Sequence, residues 1–129
     1  MLAARTSKRS GLIANASILA EVPMEMLFTY CATKVFVKYL CQSVAFEQRL
    51  ESKNCKNIDI LCLQPHLVKT KMIQKVIDAG QDMAVVPVEA CVGAAMRDLS
   101  HEVRTYGPVL HESFAGIFGP ILKYTKLIR

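Results

Sequence analysis

Ile58-Asp59-Ile60-Leu61-Cys62-Leu63 decides the fold. The run is too short for a helix, yet it offers apolar side chains on both of its alternating faces. Such a strand is buried on both sides, which is the habit of parallel sheets with helices above and below. Proline has no N–H for the sheet ladder, so Pro65 stops the strand. Working outward, Leu12-Ile13-Ala14-Asn15-Ala16 reads as an earlier strand, with residues 1–10 as the end of a helix turning at Arg9-Ser10-Gly11. Residues 18–27 form a loop through Pro23. From Phe28 to Leu50 the apolar positions 28, 32, 35, 36, 39, 40 and 46 recur at helical spacing. That predicts a long helix with those residues facing the sheet and Lys38, Gln42 and Gln48 turned away.

Ser52 to Asn57 is a polar break before the strand. A short helix is expected around 70–79, ahead of Gly80. Pro87 in a first helical turn, with Glu89 close behind, opens a helix to about Leu99. Thr105 to His111 is expected to form a third strand, with Pro108 suited to a sheet edge. The tail 113–129 is apolar, interrupted by glycine, then basic, and reads as core or an oligomer contact. Strand, helix, strand, helix, strand is α/β grammar: a partial parallel sheet of about three strands with flanking helices.

The whole chain sets bounds on these readings. At 129 residues, 52% hydrophobic and 21% charged, it has the composition of one globular domain. No apolar run reaches the ~18 residues of a membrane span. The start, Met1 to Ser10, is polar and basic and lacks a signal-peptide core. Five cysteines, at 31, 41, 55, 62 and 91, form no CxxC and lie in apolar segments, so they read as core-filling thiols. His66, His101 and His111 have no metal-ligand spacing, and no metal is expected. The net charge of +5 is scattered, and no zinc-finger, RNP-like or basic-aromatic pattern points to nucleic acid.

Chemistry concentrates at Tyr30-Cys31-Ala32-Thr33-Lys34. Residues four apart share a helix face, so the Lys34 ammonium can stand beside the Tyr30 side chain. A neighbouring cation favours phenolate over phenol and suits tyrosine to proton transfer. Ser17, thirteen residues earlier at the end of a strand, can hydrogen-bond the substrate oxygen that gains or loses the proton. Parallel sheets bind ligands at the carboxyl ends of their strands, where Ser17, Tyr30 and Pro65 are expected to converge. Together they describe a carbonyl/alcohol redox site.

In this pattern the chain resembles the short-chain dehydrogenase/reductase family. The residues that carry the resemblance are Gly11 to Ser17, Tyr30-Cys-Ala-Thr-Lys34, and Pro65-His-Leu-Val68-Lys-Thr70-Lys-Met72, in the family's order and spacing. Tyr30 to Val37, Pro65 to Met72 and Gly107 to His111 are similar to the hydroxysteroid dehydrogenase and very-long-chain ketoacyl-CoA reductase branch. The resemblance implies a Rossmann-like, three-layer fold and corresponds to the carboxy-terminal half of a family member. It implies catalysis by Ser17, Tyr30 and Lys34, with NADP(H) or NAD(H) held by Tyr30, Lys34, Pro65, Val68 and Thr70. It also implies a lipid-like substrate, a steroid or a long-chain ketoacyl-CoA. A membrane surface and a homo-oligomer through helix 28–50 are the other partners implied. The location implied is the cytosolic face of the endoplasmic reticulum membrane, with the cytoplasm as the alternative.

The departures are specific. None of the six glycines forms the family's GxxxGxG turn, and the nucleotide-binding half has no counterpart in these residues. His66 stands where many members have glycine, and the family's strand asparagine aligns with Ala14 rather than Asn15. A second expectation follows: a truncated or non-enzymatic relative without a cofactor site, acting as an interaction partner.

Overall fold

Leu61 and Cys62 are wholly inaccessible to solvent, because the strand that carries them lies in the middle of the sheet. In a computed structural model, which describes residues 9–50, 58–80 and 84–125, three strands run parallel in the order β1 (Ser10–Asn15), β2 (Ile58–Leu63), β3 (Arg104–Thr105). Ser10 stands opposite Ile58 and Asn15 opposite Leu63. The ladder continues past the strand ends, with Ala16 N donating to Leu63 O at 2.8 Å and Ile18 N to Pro65 O at 3.1 Å. The expectations at 1–8, at Ser52 to Asn57 with Cys55, and at 126–129 fall outside the described residues.

Alternation along β2 divides the core in two. Ile60 and Cys62 point to α1 (Phe28–Leu50), where they meet Cys41 and Ala45, together with Ala16 from the end of β1. Leu61 and Leu63 point the other way, to Cys91 and Ala95 of α3 (Val88–Asp98) and to Val86. The α/β reading with flanking helices on a parallel sheet is therefore the observed one. No helix among the described residues is long and apolar enough to cross a membrane.

The inward face of α1 differs from the one the periodicity predicts. Buried on it are Cys31, Lys38, Cys41 and Ala45, while Phe28, Phe36, Tyr39, Leu40, Phe46 and Leu50 are exposed. Small side chains let the helix axis approach the sheet, with Val37 and Val44 filling in beside them. Lys38 sits on this inner face because its ammonium meets Glu21 there, at 2.7 Å. The bulky residues are left as a stripe about 34 Å long on the outer side of this 23-residue helix.

Other boundaries shift for local reasons. β1 begins at Ser10 and ends at Asn15, rather than spanning 12–16. The short helix expected at 70–79 is a 3-10 turn at Lys71–Ile73 followed by α2 (Gln74–Asp78). The third strand does not run to His111. It stops at Thr105, and Gly107 then takes φ +90°, which ends extended pairing. The Pro108 carbonyl accepts from the N–H groups of His111 and Glu112, opening α4 (Val109–Thr125) instead of forming a sheet edge.

His111 therefore lies on a helix, fully buried. Its Nδ1 faces the His66 N–H at 3.3 Å, and its Nε2 faces the carbonyls of Ala84 at 3.1 Å and Leu67 at 3.3 Å. Those partners assign the tautomer with hydrogen on Nε2, so the ring ties two loop segments, at 66–67 and at Ala84, to α4.

Gly107 tests this turn. A Cβ built there would stand 3.3 Å from Leu63 Cδ1, in a left-handed conformation that side chains disfavour. Gly107→Ala is expected to cost about 1–2 kcal/mol of stability. Chemical denaturation would measure the loss, and an unchanged midpoint would contradict the conformational argument.

Candidate active site at the carboxyl ends of the strands

Three segments meet where β1 and β2 end. Ser17 follows β1 and caps a 3-10 turn at Ile18–Ala20, accepting a hydrogen bond from Leu19 N at 3.2 Å. The hydroxyl proton of this buried serine has no acceptor among the described residues, so the cap leaves its donor unspent. Tyr30 and Lys34 lie on the first turns of α1. The Lys34 ammonium is 5.4 Å from the centroid of the Tyr30 ring and donates to the carbonyl of Asn15 at 3.0 Å. That bond ties the helix bearing the Tyr-Lys pair to the last residue of β1, two positions before Ser17. Tyr30 itself is 38% exposed.

Pro65 joins the same edge, because its carbonyl accepts from Ile18 N. Val68 forms a parallel bridge with Val86, and its side chain packs toward the α3 core. Thr70 is exposed and precedes the Lys71–Ile73 turn without capping it through its side chain. The residues flanking Ser17 thus tie its segment to Lys34, whose ammonium reaches the Asn15 carbonyl, and to Pro65, whose carbonyl accepts from Ile18 N, while Val68 is turned inward. Before Tyr30, Met24, Met26, Leu27 and Phe28 form an exposed apolar run, Met26 in a left-handed conformation at φ +63° and 95% exposed.

Behind this edge lies a polar cluster that the motif reading did not single out. Glu21 Oε1 accepts from Lys38 Nζ at 2.7 Å, Gln64 Nε2 at 3.0 Å and Arg104 Nη1 at 3.3 Å. Burial pushes the Glu21 carboxyl up, but the hydrogen bonds from Lys38 and Gln64 and the attraction of Lys38 and Arg104 outweigh it. The carboxyl is held below its ordinary range. Gln64 is fully buried, and its Nε2 also lies 3.4 Å from the Ser17 carbonyl. The available signal was an acidic residue after the apolar run Ile18–Ala20 and a glutamine after the apolar strand Ile58–Leu63.

His66 stands next to Pro65, its ring 4.3 Å from that of Phe114 and 5.9 Å from that of His111. Burial, with a contribution from neighbouring His111, pushes its pKa down to about 4. Its Nδ1 is buried and has no hydrogen-bond partner among the described residues. Two cavities, of about 430 and 360 Å³, open elsewhere, between α1 and the turn at 99–104. Neither is lined by Ser17, Tyr30 or Lys34. Cys31, Cys41, Cys62 and Cys91 are free and buried, as expected of core thiols. Compared with known proteins, the chain matches no family model, no curated protein and no solved structure.

The depressed His66 value gives a signed pH dependence. A histidine whose folded pKa lies below its ordinary 6.5 favours folding above 6.5, and that stability is lost as pH falls toward about 4. Replacing the ring with one that does not titrate, His66→Phe, is expected to flatten the fall in denaturation midpoint between pH 6.5 and 4. A parallel fall in both proteins would show that His66 is not the group responsible.

Proposed function

We propose that this chain carries the catalytic corner of an NAD(P)-linked oxidoreductase of the short-chain dehydrogenase/reductase type, acting on a lipid-like carbonyl or hydroxyl. One observation carries the reading: the Lys34 ammonium is at once 5.4 Å from the Tyr30 ring centroid and bonded to the carbonyl that ends β1, beside Ser17. The parallel sheet adds weight, since sheets of this kind gather ligands at their carboxyl edge.

In this reading Tyr30 transfers the proton at its phenolic oxygen, and the unspent O–H of Ser17 holds the substrate oxygen. Lys34 uses one N–H on Asn15 and keeps two for the ribose hydroxyls of the cofactor. The Thr70 hydroxyl and the Pro65 backbone fit the nicotinamide side, whereas Val68 has only its backbone to offer. The nicotinamide cofactor, when bound, would supply the hydride as NAD(P)H or receive it as NAD(P)+. The sequence contains no glycine-rich turn for the pyrophosphate, so the 129 residues by themselves are expected to show no saturable NADPH binding. The exposed run Met24 to Phe28 beside Tyr30 favours an apolar substrate. It also suits work at a membrane surface, for which the family resemblance implies the cytosolic face of the endoplasmic reticulum.

The test is turnover of a ketosteroid and of a long-chain 3-ketoacyl-CoA with NADPH, with a nucleotide-binding half present. Tyr30→Phe removes the transferable proton and should lower kcat by a factor of about 10². Undiminished turnover in that variant would reject the mechanism.

A second reading, a non-enzymatic interaction partner, is favoured by the apolar stripe on α1, where Phe36 is 66% and Phe46 62% exposed. Both readings place a contact between copies along this helix. The chain is therefore expected to self-associate, and Phe36→Glu with Phe46→Glu to reduce its mass by size-exclusion chromatography with light scattering. An unaltered mass distribution would exclude α1 as the interface.

A further inference from the structure

Lys34 and Lys38 are one helical turn apart on α1, and they grip the same short segment at two points. Lys34 holds the carbonyl of Asn15, and Lys38 holds the carboxylate of Glu21. Ser17 lies between these anchors. Two lysines spaced i, i+4 repel each other, so this arrangement needs an acceptor at both ends. Glu21 supplies the charged one, and its side chain is only 14% exposed. Gln64 completes the enclosure from β2, with the same Nε2 facing Glu21 Oε1 and the carbonyl of Ser17. Arg104 reaches the same carboxylate oxygen from β3. One carboxylate thus joins α1, β2 and β3 to the segment that bears Ser17.

The charge is partitioned as well as the position. Lys38 is neutralised by an ion pair with Glu21, whereas Lys34 bonds only the neutral carbonyl of Asn15 among the described residues. The cation beside Tyr30 is therefore the uncompensated one of the pair.

We propose that Glu21 is a positioning residue for the Ser17–Tyr30–Lys34 site, fixing the Ser17 segment against the helix that presents Tyr30 and Lys34. The inference rests on the oxidoreductase reading for its catalytic consequence but not for its structural one. Glu21 touches neither Tyr30 nor Lys34 and acts through Lys38, Gln64 and the backbone of residues 15–21. A reacting group displaced by about 1 Å can lose a large part of its rate, so the consequence belongs in kcat rather than in binding.

The experiment compares the wild type with Glu21→Gln and Glu21→Asp. Amide hydrogen exchange would be followed at Ile18, Ala20 and Glu21, with the amides of α3 as the internal reference. Glu21→Gln should speed exchange about tenfold in 18–21 while leaving α3 unchanged. Glu21→Asp keeps the charge on a shorter side chain and should fall between the two, which preserves the test if the glutamine variant folds poorly. In the protein assayed with NADPH and a ketosteroid, with a nucleotide-binding half present, kcat should drop about tenfold in Glu21→Gln with KM for NADPH within twofold. Exchange that rises equally everywhere, or nowhere, overturns the proposal. Selective loosening with kcat unchanged also overturns it, because the segment would then be held without consequence for the reaction. A wild type that turns over nothing defeats the oxidoreductase reading alone, and the exchange comparison then decides whether Glu21 fixes the Ser17 segment.

Discussion

The central strand, β2, is the constraint on which the rest depends. It is paired with β1 along its length and with β3 at Cys62 and Leu63, and it is covered on both faces. Its two rows of side chains set where α1 and α3 must lie, and its parallel pairing brings the ends of β1 and β2 to the same edge. Ser17 and Pro65 are neighbours for that reason. β1 has no second partner among the described residues, and Leu12 is half exposed. The sheet is therefore firm in its middle and open at that side.

How α1 packs follows from the shape of β2 rather than from the helix's own hydrophobicity. Cys41 and Ala45 lie against Ile60 and Cys62, and larger residues there would hold the helix farther from the sheet. Cys41 and Cys62 pack together in this contact, and burial pushes Cys62 up to about 12 and Cys41 upward. Both are thereby held as protonated thiols at neutral pH, acting as packing groups rather than nucleophiles. The close approach also brings Lys34 within reach of the Asn15 carbonyl. The candidate site thus depends on small residues about two and three turns farther along the helix.

Buried polarity is concentrated around Glu21, where three side chains, Lys38, Gln64 and Arg104, donate to one carboxylate oxygen. Such a cluster is unforgiving, because loss of one member leaves the others desolvated and unpaired. Gln64 already carries one buried oxygen, Oε1, without a hydrogen-bond partner among the described residues. Another buried polar group, His111, is satisfied entirely by main-chain partners and serves the loops around His66.

Several features were legible in the residues alone. The run from Ile58 to Leu63 and the helix from Phe28 to Leu50 were readable at their full extents, because local patterning and the flanking breakers suffice to define them. The Tyr30–Lys34 spacing placed both on one helix turn, since that depends only on helical geometry. The third strand was misjudged because Gly107's positive φ and Pro108's role in a helix start are matters of local conformation that Thr105 to His111 does not display by composition. Which face of α1 turns inward was decided by the tertiary structure. A helix with apolar residues on several sides does not choose its own partner, and here the available space selected the small side chains and one paired lysine. The Glu21 cluster was beyond sequence reading for the same reason: its members are separated by up to 83 positions, and only packing brings them to one oxygen.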